Sequence, residues 1–117
     1  VTYASDDSDW SKKVAERYGG KCGWVTCGET FGLGGHHIIP RGLKATRLII
    51  ENGILLCTKH HTEVEEVKGT PAYDRMMEIL VGKVRYYDLK KLEVEALTEI
   101  VHNSLLEIKE ISSEVSL

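Results

Sequence analysis

Residues 36–65 read HHIIPRGLKATRLIIENGILLCTKHHTEVE, with paired histidines near each end and a short apolar run, Ile54-Leu55-Leu56, between them. The first pair leads into Ile38-Ile39 and then Pro40. Proline has no N–H to give a sheet, so a strand starting near Thr30 and carrying His36 and His37 should stop there. Residues 41–52 then form a connecting loop, with a turn expected at Asn52-Gly53. Ile54-Leu55-Leu56 make a buried strand, and Thr58 is placed to cap a helix running through Glu66 and ending near Gly69. The order is strand, loop, strand, helix.

Upstream, Cys22 and Cys27 stand among Gly23, Gly28, Gly32, Gly34 and Gly35. Small chains bury little surface, so an irregular glycine-rich stretch needs a clip. Cys22-x4-Cys27 followed by Cys57-x2-His60 supplies two close pairs of soft ligands, as a tetrahedral zinc site requires. Three thiolates and one imidazole leave no open position, which suits a structural ion. Before this knuckle, residues 8–18 fit an amphipathic helix capped by Ser8, with Trp10, Val14 and Tyr18 on one face and Gly19-Gly20 as its stop. Beyond Gly69, Pro71 opens a helix bearing Tyr73, Met76, Met77 and Leu80 on one side. From Leu89 to Ile111, Leu92, Ala96, Ile100, Leu105 and Ile108 draw an apolar stripe that reads first as a core face and second as the surface for a homodimer or protein partner. His102, in that last helix, reads as structural.

The whole chain has 117 residues, 42% of them hydrophobic and 28% charged, which suits one α+β domain. Residues 19–68 form the zinc-clipped core and residues 70–112 a helical extension. No apolar run is long enough to span a membrane, and the acidic N-terminus does not resemble a signal peptide, so a cytoplasmic location is expected. The net charge is -3, yet residues 12–61 carry eight bases against three acids. Positive charge therefore lies where the histidines and cysteines lie, and a polyanion could dock there.

Adjacent histidines on a strand point to opposite sides, so His36 and His37 can do different jobs. His61 and Glu65, four residues apart on a helix, share a face and could bind one ion. The segments GHHIIPRG (35–42), TRLIIENGILLC (46–57) and TKHHTEVE (58–65), in this order and spacing, resemble the HNH endonucleases of phage and bacteria. The resemblance covers residues 22 to about 66. It implies a ββα-metal (His-Me finger) core and hydrolysis of phosphodiester bonds in double-stranded DNA, with His37 as general base and His36 and His61 holding a catalytic divalent ion. Asn52 would orient His37 or the loop across from it. Two positions differ from the family pattern. His60 stands where a cysteine usually ligates zinc, and Glu65 stands where some members have a further histidine. A carboxylate suits Mg²⁺ or Mn²⁺, with Ni²⁺ or Zn²⁺ as alternatives. Arg41, Lys44 and Arg47 are then candidates for phosphate contacts.

A non-catalytic zinc-knuckle module for nucleic acid or protein would explain Cys22, Cys27, Cys57 and His60 equally well. It leaves His36, His37, Asn52 and His61 without a role. A metalloprotease is disfavoured because no His-Glu-x-x-His helix is present.

Overall fold

The computed structural model describes residues 1–115, with side chains through Ile111. It is a small α+β fold. Helix α1 (Asp7–Arg17) precedes strand β1 (Leu33–His37), a short helix α2 (Lys44–Arg47), a 3-10 turn (Ile50–Asn52) and strand β2 (Gly53–Cys57). Helices α3 (Thr58–Glu66), α4 (Pro71–Val81) and α5 (Lys83–Val115) follow. Among the described residues, no helix is long and apolar enough to cross a membrane.

The two strands pair antiparallel, with Gly35 opposite Leu55 and His37 opposite Gly53. Side chains alternate across a strand, so Gly35, His37, Gly53 and Leu55 share one face while His36, Ile54 and Leu56 share the other. Helix α1 covers the first face through Trp10 and Val14, both buried. A Cβ at Gly53 would lie 2.4 Å from Val14 and one at Gly35 would lie 2.8 Å from the Trp10 ring. The glycines therefore let α1 sit directly on the hairpin. Gly53 is the first residue of β2 and not the turn residue expected from Asn52-Gly53. Helix α3 covers the second face with Val64, joined by Tyr73 and Met77 of α4 and Tyr86 and Leu89 of α5.

Several boundaries differ from the sequence reading, each for a local reason. Asp6, and not Ser8, caps α1, because its carboxylate accepts the Asp9 N–H at 2.8 Å. The strand expected near Thr30 begins at Leu33, since the Glu29 carboxylate takes the N–H groups of Thr30 and Phe31 and turns the chain there. Thr58 is the first residue of α3 after the N-cap Cys57, and its hydroxyl is spent on the Gly32 carbonyl at 3.3 Å. That helix gives way at Val67, short of Gly69.

Residues 41–52 are not a plain loop but hold α2 and the 3-10 turn. Asn52, fully buried, organises them. Its Oδ1 accepts the Ile39 N–H at 2.7 Å, and its Nδ2 donates to the carbonyls of Ile39 (3.1 Å) and Thr46 (3.0 Å). Its own carbonyl accepts the Ile38 N–H at 2.9 Å. One side chain thus replaces the sheet ladder where β1 runs out. Asn52→Ala orphans the buried N–H and carbonyl of Ile39, each at a cost of about 1–3 kcal/mol, while the Thr46 carbonyl keeps the Ile49 N–H at 3.2 Å. We expect a loss of about 2 kcal/mol or more in urea denaturation of the metal-loaded chain; a loss below about 1 kcal/mol would contradict the assignment.

Pro71 does open α4, which buries Tyr73 and Met77. Arg85 ties α5 to the hairpin, donating to the carbonyls of Glu51 (2.8 Å) and Gly53 (2.6 Å). The long stripe from Leu89 to Ile111 is only partly a core face. Leu89 is buried and Leu92 and Ala96 are half-buried, but Ile100, Leu105 and Ile108 are exposed because α5 runs on past the body of the protein. His102 lies on that exposed part and joins no core.

Candidate functional site

Two groups of metal-ligating side chains converge, one at each end of the expected constellation. Cys22, Cys27, Cys57 and His60 form the first. Cys22 comes from the irregular segment before β1, and its backbone N–H bonds the Glu29 carbonyl at 2.8 Å. Cys57 ends β2 and caps α3, where amide groups of His60 and Lys59 pull the thiol below its usual range. Such a position favours thiolate. His60 Nδ1 lies 3.6 Å from Cys22 Sγ and 3.3 Å from Cys57 Sγ, while Cys27 Sγ and Cys57 Sγ are 4.0 Å apart. Ligand atoms around a tetrahedral zinc, with bonds of about 2.3 Å to sulfur and 2.0 Å to nitrogen, stand about 3.5–3.8 Å apart. The set fits that ion, and the sulfur separation is far from the roughly 2.0 Å of a disulfide. Burial alone would push Cys22 toward the neutral thiol; a cation in the cluster reverses that preference. Trp24 stacks on the His60 ring at 4.4 Å and fixes its plane.

His36, His61 and Glu65 form the second group, their ligand atoms all within 4.8 Å of one another. His36 Nδ1 is 3.3 Å from Glu65 Oε1, and His61 Nε2 is 3.5 Å from the same oxygen. The adjacent residues His60 and His61 are thereby divided between the groups, as successive positions on a helix face different directions. A groove of about 570 Å³, bordered by Gly32, Gly34, Thr58, Thr62 and Glu66, leads to His61 and Glu65.

Hydrogen bonding settles which way His36 presents its lone pair. The Tyr73 hydroxyl lies 2.7 Å from the Ile38 carbonyl, which can only accept, so the phenol donates there. The phenol oxygen is left to accept, and His36 Nε2–H donates to it at 2.9 Å. Neutral His36 then turns a bare Nδ1 toward the Glu65 carboxylate. Two electron-rich atoms at 3.3 Å call for a cation or a proton between them. Burial pushes His36 down to about 4, so near neutral pH a proton is disfavoured there. The donor set, two imidazoles and a carboxylate, fits a divalent metal ion.

The sequence places Tyr73 only on one side of the helix opened by Pro71, and nothing in the spacing signals its second role. Tyr73→Phe keeps the packing but frees the His36 tautomer. Outer partners of this kind are worth about 10–100-fold in metal affinity. Calorimetric titration with Mn²⁺ should show a weakening of about that size, with the metal content of the cysteine cluster unchanged; unaltered Mn²⁺ affinity would contradict the role.

His37 faces the other side of the strand. Its ring stacks on Trp10 with centroids 3.8 Å apart and planes within 7°. His37 Nε2 lies 3.0 Å from the Arg47 carbonyl, so this nitrogen carries the proton and donates. That leaves Nδ1 as the basic atom. Among the described residues no buried side-chain nitrogen or oxygen lacks a partner, so Nδ1, which bonds to none of them, reaches solvent. Burial of the ring lowers its basicity. Trp10 is itself anchored, its Nε1–H donating to the Ile49 carbonyl at 2.8 Å.

Two of the three loop cations share one partner. Arg47 and Arg41 both bond Asp7, Arg47 through Nε at 2.9 Å and Nη2, and Arg41 through Nη2 at 3.0 Å. The Arg47 hydrogen bond, with Arg41 assisting, lowers the Asp7 carboxyl to about 2. Lys44 is exposed at the start of α2. Asp7 thus secures the segment whose Arg47 carbonyl aims His37. The opposite charges of the N-terminal segment and this loop are the one sequence signal for that contact.

No protein-family model, no curated protein and no solved structure matches the chain. The side chains themselves supply a group that could hold a cation and a basic imidazole on consecutive residues of one strand, beside a second group suited to a structural ion.

Proposed function

We propose that the chain is a metal-dependent endonuclease of the HNH kind that hydrolyses phosphodiester bonds of double-stranded DNA, with a zinc-clipped ββα-metal core. The observation that carries this reading is the division of labour at the end of β1. His36 turns a bare nitrogen toward Glu65 and His61, and His37, whose Cα is about 3.8 Å away, turns another toward solvent. The antiparallel hairpin followed by α3 supports the fold assignment.

In this mechanism His37 Nδ1 accepts a proton from water as the water attacks phosphorus, while Nε2–H stays on the Arg47 carbonyl and holds the ring in place. Trp10 limits the ring to one plane. A divalent cation held by His36, His61 and Glu65, Mg²⁺ or Mn²⁺ by the hardness of the carboxylate, would neutralise charge growing on the phosphate and the leaving oxygen. Lys44 meets a neighbouring phosphate, as does Arg41 by exchanging its Asp7 contact, and together they position the duplex, with Arg47 braced on Asp7. Cys22, Cys27, Cys57 and His60 hold structural zinc and keep α3, and hence His61, in register with β2. A cytoplasmic setting follows from reduced thiols serving as ligands.

Supercoiled plasmid DNA incubated with the protein and Mg²⁺ or Mn²⁺ should be nicked or linearised, and EDTA should stop the reaction. DNA that binds but stays intact under every divalent ion would favour the non-catalytic zinc-knuckle module instead. The pH profile carries a sign. Burial disfavours the His37 imidazolium, so the base persists to lower pH than for an ordinary histidine. The ascending limb of kcat/KM should have its midpoint below 6.5; a midpoint at or above it would contradict His37 as the base.

A further inference from the structure

Helix α5 has 33 residues, about 50 Å of helix, in a molecule measuring 65 × 32 × 23 Å. Its first part packs on α4 and α2, using Leu89, Leu92 and Ala96. The remainder presents a different face. At about 100° per residue, Val94, Leu97, Val101, Leu105 and Ile108 lie about two-fifths of a turn from Leu89, Leu92 and Ala96. These five and Ile100 and Ile111 are each between 47% and 59% exposed. A shallow groove lined by Val94, Leu97, Thr98 and Val101 runs along this face. Leu106 is exposed on another side.

We propose that this stripe pairs with the same stripe of a second copy of the chain, in a parallel two-stranded coiled coil. The spacing identifies the occupant. Val94, Val101 and Ile108 recur every seven residues, and Leu97, Ser104 and Ile111 recur with the same period three residues later. These are the a and d positions of heptads, and β-branched residues throughout a, with Leu97 at the first d, favour two parallel strands. The polar member, Ser104, donates its hydroxyl to the Ile100 carbonyl at 2.9 Å and so enters the seam already satisfied.

The flanks choose the direction. In a parallel pair Ile100 meets the second copy's Leu105, and Glu93 meets the second copy's Thr98, with no like charges opposed. An antiparallel pair with full overlap would set Ile100 against Glu107 of the other copy and strand a carboxylate on an apolar side chain. The seven apolar side chains expose roughly 600 Å² per chain, so the pair would bury roughly 1,200 Å², at the lower end for specific interfaces. A parallel pair carries both bodies at the same end. The dimer does not depend on the nuclease reading.

Sedimentation of the zinc-loaded full chain at about 50 µM, chosen to lie above the Kd of a micromolar complex, should give twice the 13.1 kDa mass of one chain. The double variant Leu97→Glu/Val101→Glu, altered only at exposed positions, should give the single mass with unchanged zinc content. Under mild oxidation Val94→Cys should form a covalent dimer that the wild-type chain does not, because position 94 meets its own counterpart only in the parallel arrangement. A wild-type monomer overturns the proposal, as does a double variant that remains dimeric. A dimer in which Val94→Cys gives no covalent product above wild type overturns the parallel pairing.

Discussion

Cys22→Ser is expected to yield a chain without zinc and without a cooperative melt. Between α1 and β1 the described structure has no helix or strand, and residues 18–32 are held by isolated contacts such as Gly23 N–H on the Leu55 carbonyl at 2.6 Å. Cys22 is buried and its Sγ also accepts the Cys57 N–H at 3.3 Å, so it joins the knuckle to the strand that leads into α3. A serine hydroxyl is neither a soft ligand nor a thiolate at neutral pH. Structural zinc sites contribute about 10–16 kcal/mol, as much as the whole stability of a typical domain at about 5–15 kcal/mol. Metal analysis and near-ultraviolet circular dichroism decide the matter. Wild type should carry one zinc per chain at the cysteine cluster and the variant none, with its tertiary signal lost. A variant that melts like wild type would remove the structural role.

His37→Ala should lower the rate of DNA cleavage by about 10²–10⁴-fold while Mn²⁺ and DNA still bind. The separation is possible because His37 lies on the α1 face of β1, and the His36, His61 and Glu65 group lies on the α3 face. Removing the ring leaves a gap against Trp10 that a small base can occupy, so added imidazole should restore part of the lost rate in proportion to its unprotonated fraction. Single-turnover cleavage, calorimetry with Mn²⁺ and a DNA-binding isotherm together separate chemistry from assembly. Cleavage at the wild-type rate would show that the proton leaves by another route.

Much of the site was legible in the sequence because its chemistry depends on local spacing. The alternation of a strand places His36 and His37 on opposite faces, and the four-residue helical step joins His61 to Glu65. The spacing of Cys22, Cys27, Cys57 and His60 foretold their convergence, and the strand, strand, helix order appears as β1, β2 and α3. What was not legible depends on contacts across long sequence separations. Tyr73 lies 37 residues from His36, and Asp7 lies 40 residues from Arg47. No pattern predicts the partner of Tyr73, and for Asp7 the only signal is the opposite charge of the two segments. Gly53 resembled a turn glycine, yet it is needed because Val14 and Trp10 press on the strand there. The apolar stripe of α5 satisfied the pattern for a buried face, but burial depends on where the body of the protein ends, and helical periodicity carries no information about that.

Crystals soaked in Mn²⁺ and measured near the manganese absorption edge give the most direct test of the whole account. An anomalous peak bonded to His36 Nδ1, His61 Nε2 and Glu65, separate from the metal at Cys22, Cys27, Cys57 and His60, is the predicted result. Manganese bound elsewhere, with His36 and Glu65 in direct contact in a protein that still cuts DNA, would contradict it.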